Sequence, residues 1–153
     1  MKILLFLVTI FGLTIAYLQY NPSYKLSMEA KYYYTIAEYQ LAYDLADKSL
    51  KLREYNTMAF HIKNRSKLTL EVINFNLESK DFEKKISNII KKSFIPKSDK
   101  LRTKMMSDVI ISKYQNLSLS MVEDDEVKNL ALKNFIKFKK INSQVLKSLM
   151  KSE

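Results

Sequence analysis

An all-α fold is the class this sequence predicts, on three observations. Glycine occurs once and proline twice in 153 residues, far below the ~7% and ~5% of ordinary chains, so the usual makers of tight turns are scarce. Apolar residues recur at three- and four-residue intervals along most of the chain, the period of a helix face. The last predicted helix opens on an acidic cluster and turns lysine-rich, the order that a helix macrodipole favours. Two segments follow: residues 1–20 as a membrane anchor or uncleaved signal, and residues 23–153 as one helical domain, an irregular antiparallel hairpin stack of about five to six helices behind the N-terminal one.

The first element is ILLFLVTIFGLTIAYL, residues 3–18, an apolar run behind Met1 and Lys2. It predicts an N-terminal transmembrane helix. Sixteen residues rising about 1.5 Å each reach roughly 24 Å, slightly short of a ~30 Å hydrocarbon core. Length therefore does not separate an anchor from a signal peptide. The only cleavage context is Thr14-Ile15-Ala16, which would leave a very short signal, so the uncleaved anchor is favoured over the cleaved form. Lys2 and the free amine bias the N-terminus towards the cytoplasm, which predicts a single-pass protein of the inner membrane with its body on the periplasmic side. Tyr17 and Tyr20 suit the aromatic belt at the far interface.

Asn21-Pro22-Ser23 should break the chain direction, because proline lacks an N–H and restricts the residue before it; Ser23 is the expected cap of the next helix. From Tyr24 to Tyr34 the apolar face is Leu26, Ala30 and Tyr33. A second helix, Tyr39 to Leu52, should turn Tyr39, Ala42, Leu45 or Ala46, Ser49, Leu50 and Leu52 inward and Asp44, Asp47, Lys48 and Lys51 outward. Tyr32, Tyr33 and Tyr34 point about 100° apart on a helix, so one or two belong to the core and another to a surface.

Leu26, Ala30 and Tyr33, followed by Tyr39, Ala42, Ala46 and Ser49, resemble the tetratricopeptide repeat, a helix–turn–helix unit of about 34 residues. The resemblance covers about residues 23–56. It implies an antiparallel hairpin in which Ala30 and Ala42 lie where the helices touch and Leu26, Tyr33 and Tyr39 fill the space beside them. The sequence departs from the repeat pattern at Ala30, Ala46, Ser49 and Glu54. A second copy over Ser79–Pro96 has Phe82 and Pro96 in place but lysines, Lys85 and Lys92, at the small positions. A single degenerate repeat implies an irregular hairpin stack, or one that borrows surface from a partner, since repeat arrays usually need three or more units.

Further along, one helix is expected from about Thr57 to Leu77 and another from Ser79. Ser98 or Asp99 should cap a third, with Leu101, Met105, Val109, Ile110 and Tyr114 inward, ending within Gln115–Ser120. The last helix follows Glu123-Asp124-Asp125-Glu126 and carries an apolar stripe of Val127, Leu130, Ala131, Phe135, Phe138, Ile141, Val145 and Leu149, with lysines through Lys151.

The net charge of +10 is uneven. Residues 23–60 hold five basic and five acidic side chains, whereas residues 61–113 hold thirteen basic and six acidic ones. Lys84, Lys85, Lys91, Lys92, Lys97, Lys100, Arg102 and Lys104 are the candidates for a basic interaction surface, set against the ordinary reading of a solvated helix face. Nucleic acid is disfavoured, since no recognition signature accompanies the charge. Chemistry is scarcely signalled. Cysteine is absent, His61 is the only histidine, and the acidic cluster lacks the alternating ligands of a calcium loop, so neither an enzyme nor a cofactor or metal is predicted.

These features together predict a membrane-anchored scaffold or adaptor that binds other proteins in a bacterial cell envelope. Small single-anchor proteins of this kind resemble accessory parts of envelope machines such as flagellar motors and secretion systems. Two alternatives stay open: a secreted or periplasmic inhibitor, chaperone or effector after signal cleavage, and a basic lipid-binding module.

Overall fold

Scarce turn residues leave the chain few places to stop a helix. The computed structural model describes residues 2–150, apart from the side chains at positions 2, 4, 5, 14, 16, 18 and 19. Lys2, Thr14, Ala16 and Lys151, invoked above for orientation, cleavage and the last helix, lie outside the described side chains. Among the described residues the chain forms α1 (Lys2–Tyr20), α2 (Pro22–Thr35), α3 (Tyr39–Leu52), α4 (Thr57–Ile90), α5 (Lys97–Gln115) and α6 (Asp125–Met150), with a 3-10 turn at Leu119–Met121 and no strand. The fold is all-α. It divides into two compact units, Met1–Lys67 and Leu68–Glu153.

Among the described residues no helix is long and apolar enough to cross a membrane. The expected transmembrane span is thus not carried by the structure. What α1 presents is a 19-residue helix with large apolar side chains, Ile3, Phe6, Phe11 and Leu13 among them, exposed along its length.

In the first unit α2 and α3 form an antiparallel hairpin. Pro22 takes the first turn of α2, where a missing N–H costs nothing, and Asn21 is the N-cap, its Oδ1 facing the N–H of Tyr24 at 3.5 Å. Ser23, the expected cap, is instead buried against α3. The inward face of α2 is Ser23, Ser27 and Ala30, and that of α3 is Tyr39, Ala42, Ala46 and Ser49. Ala30, Ala42 and Ala46 are fully buried in one cluster with Ala59 and Ile62 of α4, under Tyr33, Tyr34 and Leu45. Small residues on both sides let the backbones approach closely. Leu26 is only half-buried and Leu52 is exposed, because the contact line runs through Ser27 and ends at Ser49. Ala42→Leu should overpack this contact and cost about 1–3 kcal/mol in urea unfolding; an unchanged midpoint would remove Ala42 from the crossing.

α2 stops in a Schellman motif: Glu38 N–H donates to Tyr33 C=O at 2.9 Å and Ala37 N–H to Tyr34 C=O at 3.2 Å. Ala37 sits at φ 63°, the left-handed region that glycine normally fills. Ala37→Gly should therefore stabilise the chain by about 1 kcal/mol, seen as a raised denaturant midpoint. An unchanged or lowered midpoint would contradict a strained turn.

A polar hub joins α2, α3 and the start of α4 in this unit. Asn56 is 1% exposed and its Nδ2 lies 3.0 Å from Ser23 Oγ, 3.1 Å from Ser49 Oγ and 3.3 Å from Ser27 Oγ. Its Oδ1 accepts the Ala59 N–H at 3.2 Å, which caps α4. Ser49 Oγ also donates to the Ser23 carbonyl at 2.7 Å. Each of these buried polar groups is satisfied, so burying them carries little desolvation cost. Farther along, Lys63 of α4 binds Asp47 of α3 at 2.6 Å, and Lys51 binds the same carboxylate at 2.8 Å. Hydrogen bonds from these two lysines hold the Asp47 carboxyl at about 2, below its ordinary 3.8.

α4 runs unbroken for 34 residues, where the sequence suggested a helix to Leu77 and a second from Ser79. Ser79 does not start a helix; its buried hydroxyl donates to the Phe75 carbonyl at 2.8 Å, a bond available inside a continuous helix. With no glycine or proline between Thr57 and Ile90, nothing forces a stop.

In the second unit, α4, α5 and α6 enclose a core of Val72, Phe75, Ile86, Ile110, Val122 and Phe138. α5 lies antiparallel to α6: Tyr114 stacks on Phe135 with ring centroids 4.2 Å apart, Asn142 donates to Asp108 at 2.7 Å, and Lys100 donates to the Ser148 carbonyl at 3.2 Å. Asn76 of α4 donates to the Val127 carbonyl and accepts from Asn134 of α6. α5 begins at Lys97 with Pro96 as N-cap and no side-chain cap bond, so neither Ser98 nor Asp99 plays the expected part. Its buried face is Thr103, Met106, Ser107 and Ile110, whereas Leu101, Met105 and Val109 are exposed. The face is displaced because Thr103 and Ser107 return their hydroxyls to the carbonyls of Asp99 and Thr103 at 2.9 Å. They then pack as small apolar residues. Asp124 Oδ1 caps α6 through the Val127 N–H at 3.0 Å. The stripe of α6 faces inward as read, except that Leu130 is exposed.

Candidate interaction surface

Because α2 packs through its small residues, its large ones are left facing out. Tyr24, Met28, Lys31, Tyr32 and Thr35 share a flanking side of the helix, about a third of a turn from that contact face, and with Met58 of α4 they line an open groove of about 450 Å³. Met28 is 54% exposed and Tyr32 60%. Of the three consecutive tyrosines, Tyr33 and Tyr34 pack on the alanine cluster and Tyr32 joins the groove. From Tyr24 to Thr35 a helix rises about 16 Å, roughly three turns. Lys31 is the one charged group in the lining, and among the described residues no carboxylate pairs with it. The groove can therefore take an apolar surface that carries a negative charge. The sequence carried a signal for it, large residues at positions 24, 28 and 32, but hairpin packing read through Leu26 obscured it.

The hairpin residues named from the sequence fall together: Ala30, Tyr39, Ala42, Ala46 and Ser49 are buried, with Tyr33 and Leu26 half-buried. They form the support of the groove and do not line it.

The basic residues are not gathered into one surface. Lys85 pairs with Asp81, Lys92 with Asp99 and Lys104 with Asp108, each at 2.6 Å. Lys100 is half-buried against α6 and Lys97 and Arg102 are exposed on α5. Lys84 of α4 and Lys91, just past its end, line one shallow surface with Lys80, Ser87 and Asn88. Glu83 lies among them but pairs with Lys137 of α6. The one local group is Lys80, Lys84 and Lys91, of which the sequence pointed to the last two. Among the described residues no three His, Asp or Glu side chains are grouped to hold a metal ion, and His61 lies exposed with its ring edge against Phe60.

A scan against protein-family models found no match, and neither did searches of curated proteins and of solved structures. The tetratricopeptide resemblance rests on the local motif alone.

Proposed function

We propose that this chain is a non-enzymatic scaffold, attached through α1 to the cytoplasmic membrane of a bacterium, whose tetratricopeptide-like hairpin docks a protein partner on the outward face of α2. The body lies on the periplasmic side, and the setting is an envelope assembly. The observation that carries the reading is the groove of Tyr24, Met28, Lys31, Tyr32 and Met58. It is apolar and open, and it stands on a hairpin whose rigidity comes from close alanine contacts and the Asn56 hub. Its occupant is an amphipathic polypeptide segment that sets an acidic side chain opposite Lys31.

Attachment is supported by the apolar side chains that α1 leaves exposed, which would be costly in water at about 25 cal/mol per Å². It is tested by fractionation. The full chain should remain with membranes after alkaline carbonate extraction, and the pair Phe6→Asp with Phe11→Asp should move it to the supernatant. Wild-type protein recovered in the supernatant would contradict attachment.

A further inference from the structure

We propose that the cleft where α1, α2 and the end of α3 meet binds, through Arg53, the headgroup phosphate of an anionic phospholipid, one with no choline ammonium of its own to neutralise that phosphate. The proposal rests on attachment through α1. The cleft holds about 420 Å³ and is lined by Tyr17, Tyr20, Asn21, Pro22, Leu52 and Arg53, together with Ser23 of the buried hub. Arg53 is the only charged residue in that lining. Among the described residues no carboxylate pairs with it. Its Nη1 donates to the Tyr17 hydroxyl at 3.0 Å and its guanidinium carbon stands 5.6 Å from the centre of the Tyr24 ring. Those contacts fix the plane of the side chain. A guanidinium has five N–H donors, so most of the fork stays available for the bidentate geometry that phosphate offers.

The walls decide the source of the phosphate. Tyr20 and Leu52 are exposed at 88% and 58%, and the Tyr17 side of the cleft continues into the exposed apolar surface of α1. A free phosphate would keep its water better elsewhere, since one cation and apolar walls replace little of its hydration. A headgroup phosphate meets the same cation with its glycerol and acyl carbons against Tyr17, Tyr20 and Leu52. Tyrosines suit that interfacial depth, with ring in the apolar layer and hydroxyl in the wet one. Arg53 then sets how deep α1 sits.

The test is partition of the full chain into phosphatidylcholine vesicles with and without phosphatidylglycerol, in salt high enough to screen diffuse attraction. Wild type should prefer the phosphatidylglycerol vesicles by about tenfold, the scale of a charge-assisted hydrogen-bonded pair. Arg53→Gln should abolish that preference and Arg53→Lys should retain part of it. Lys25→Gln, a charge lost one turn into α2 but outside the cleft, should leave it intact; far-ultraviolet circular dichroism verifies that each variant is folded. Equal partition of wild type into both vesicles, or equal losses for Arg53→Gln and Lys25→Gln, overturns the proposal while leaving attachment standing. Partition into neither overturns attachment, and the headgroup site with it. Displacement from phosphatidylglycerol vesicles by inorganic phosphate at matched ionic strength assigns the cleft to free phosphate and overturns the lipid source.

Discussion

Asn56→Ala should destabilise the chain by about 2–4 kcal/mol in urea unfolding. The loss has two parts. Oδ1 caps α4 at the Ala59 N–H, and removing such a cap costs about 0.5–2 kcal/mol. Nδ2 shares its two hydrogens among the buried hydroxyls of Ser23, Ser27 and Ser49, which would keep only the bonds they donate to backbone carbonyls; two buried hydrogen bonds lost at about 0.5–1.5 kcal/mol each cost about 1–3 kcal/mol. Asn56→Asp separates the two parts, since a carboxylate can still cap the helix but has no hydrogen to donate to the serines. It should fail to rescue at neutral pH. If Asn56→Asp were as stable as wild type, the donor half of the hub would be dispensable and the cap alone would explain Asn56.

Phe138→Ala should cost about 3–5 kcal/mol, the range for truncating a fully buried aromatic. Phe138 is 0% exposed and central to the core that Val72, Phe75 and Ile110 share. Phe94 offers the control, being 77% exposed. Phe94→Ala should stay within about 0.5 kcal/mol of wild type. Similar losses at both positions would mean that α6 does not close the core as described.

The contrast between these residues shows where the sequence was legible. The limits of α3 were readable because alanines and leucines keep helical spacing from Tyr39 to Leu52, and the burial of Phe138 followed from the stripe of α6. Asn56 was not readable. Asparagine and serine ordinarily signal turns and caps, and only the meeting of α2, α3 and α4 turns Ser23, Ser27, Ser49 and Asn56 into a hub. The same reason hid the buried face of α5, where Thr103 and Ser107 displace Leu101 and Met105, and the continuity of α4 through Ser79. Pairing takes three residues out of the basic row. Asp81–Lys85 and Lys104–Asp108 were open to inspection as four-residue spacings, whereas Lys92–Asp99 needs the turn between α4 and α5, and Lys137–Glu83 needs α6 beside α4.

The groove on α2 was partly legible: the spacing of the tyrosines indicated that one would reach a surface, and the structure shows that Tyr32 does so beside Tyr24 and Met28. The most direct test of the scaffold reading is photocrosslinking in native membranes, with the crosslinking side chain placed at Met28, at Tyr32 and, as a control on the exposed side of α3, at Asp44. Met28 and Tyr32 should give one discrete adduct, Asp44 none, and Lys31→Glu should abolish the adduct. No adduct from the groove, or the same adducts from Asp44, would contradict the scaffold reading.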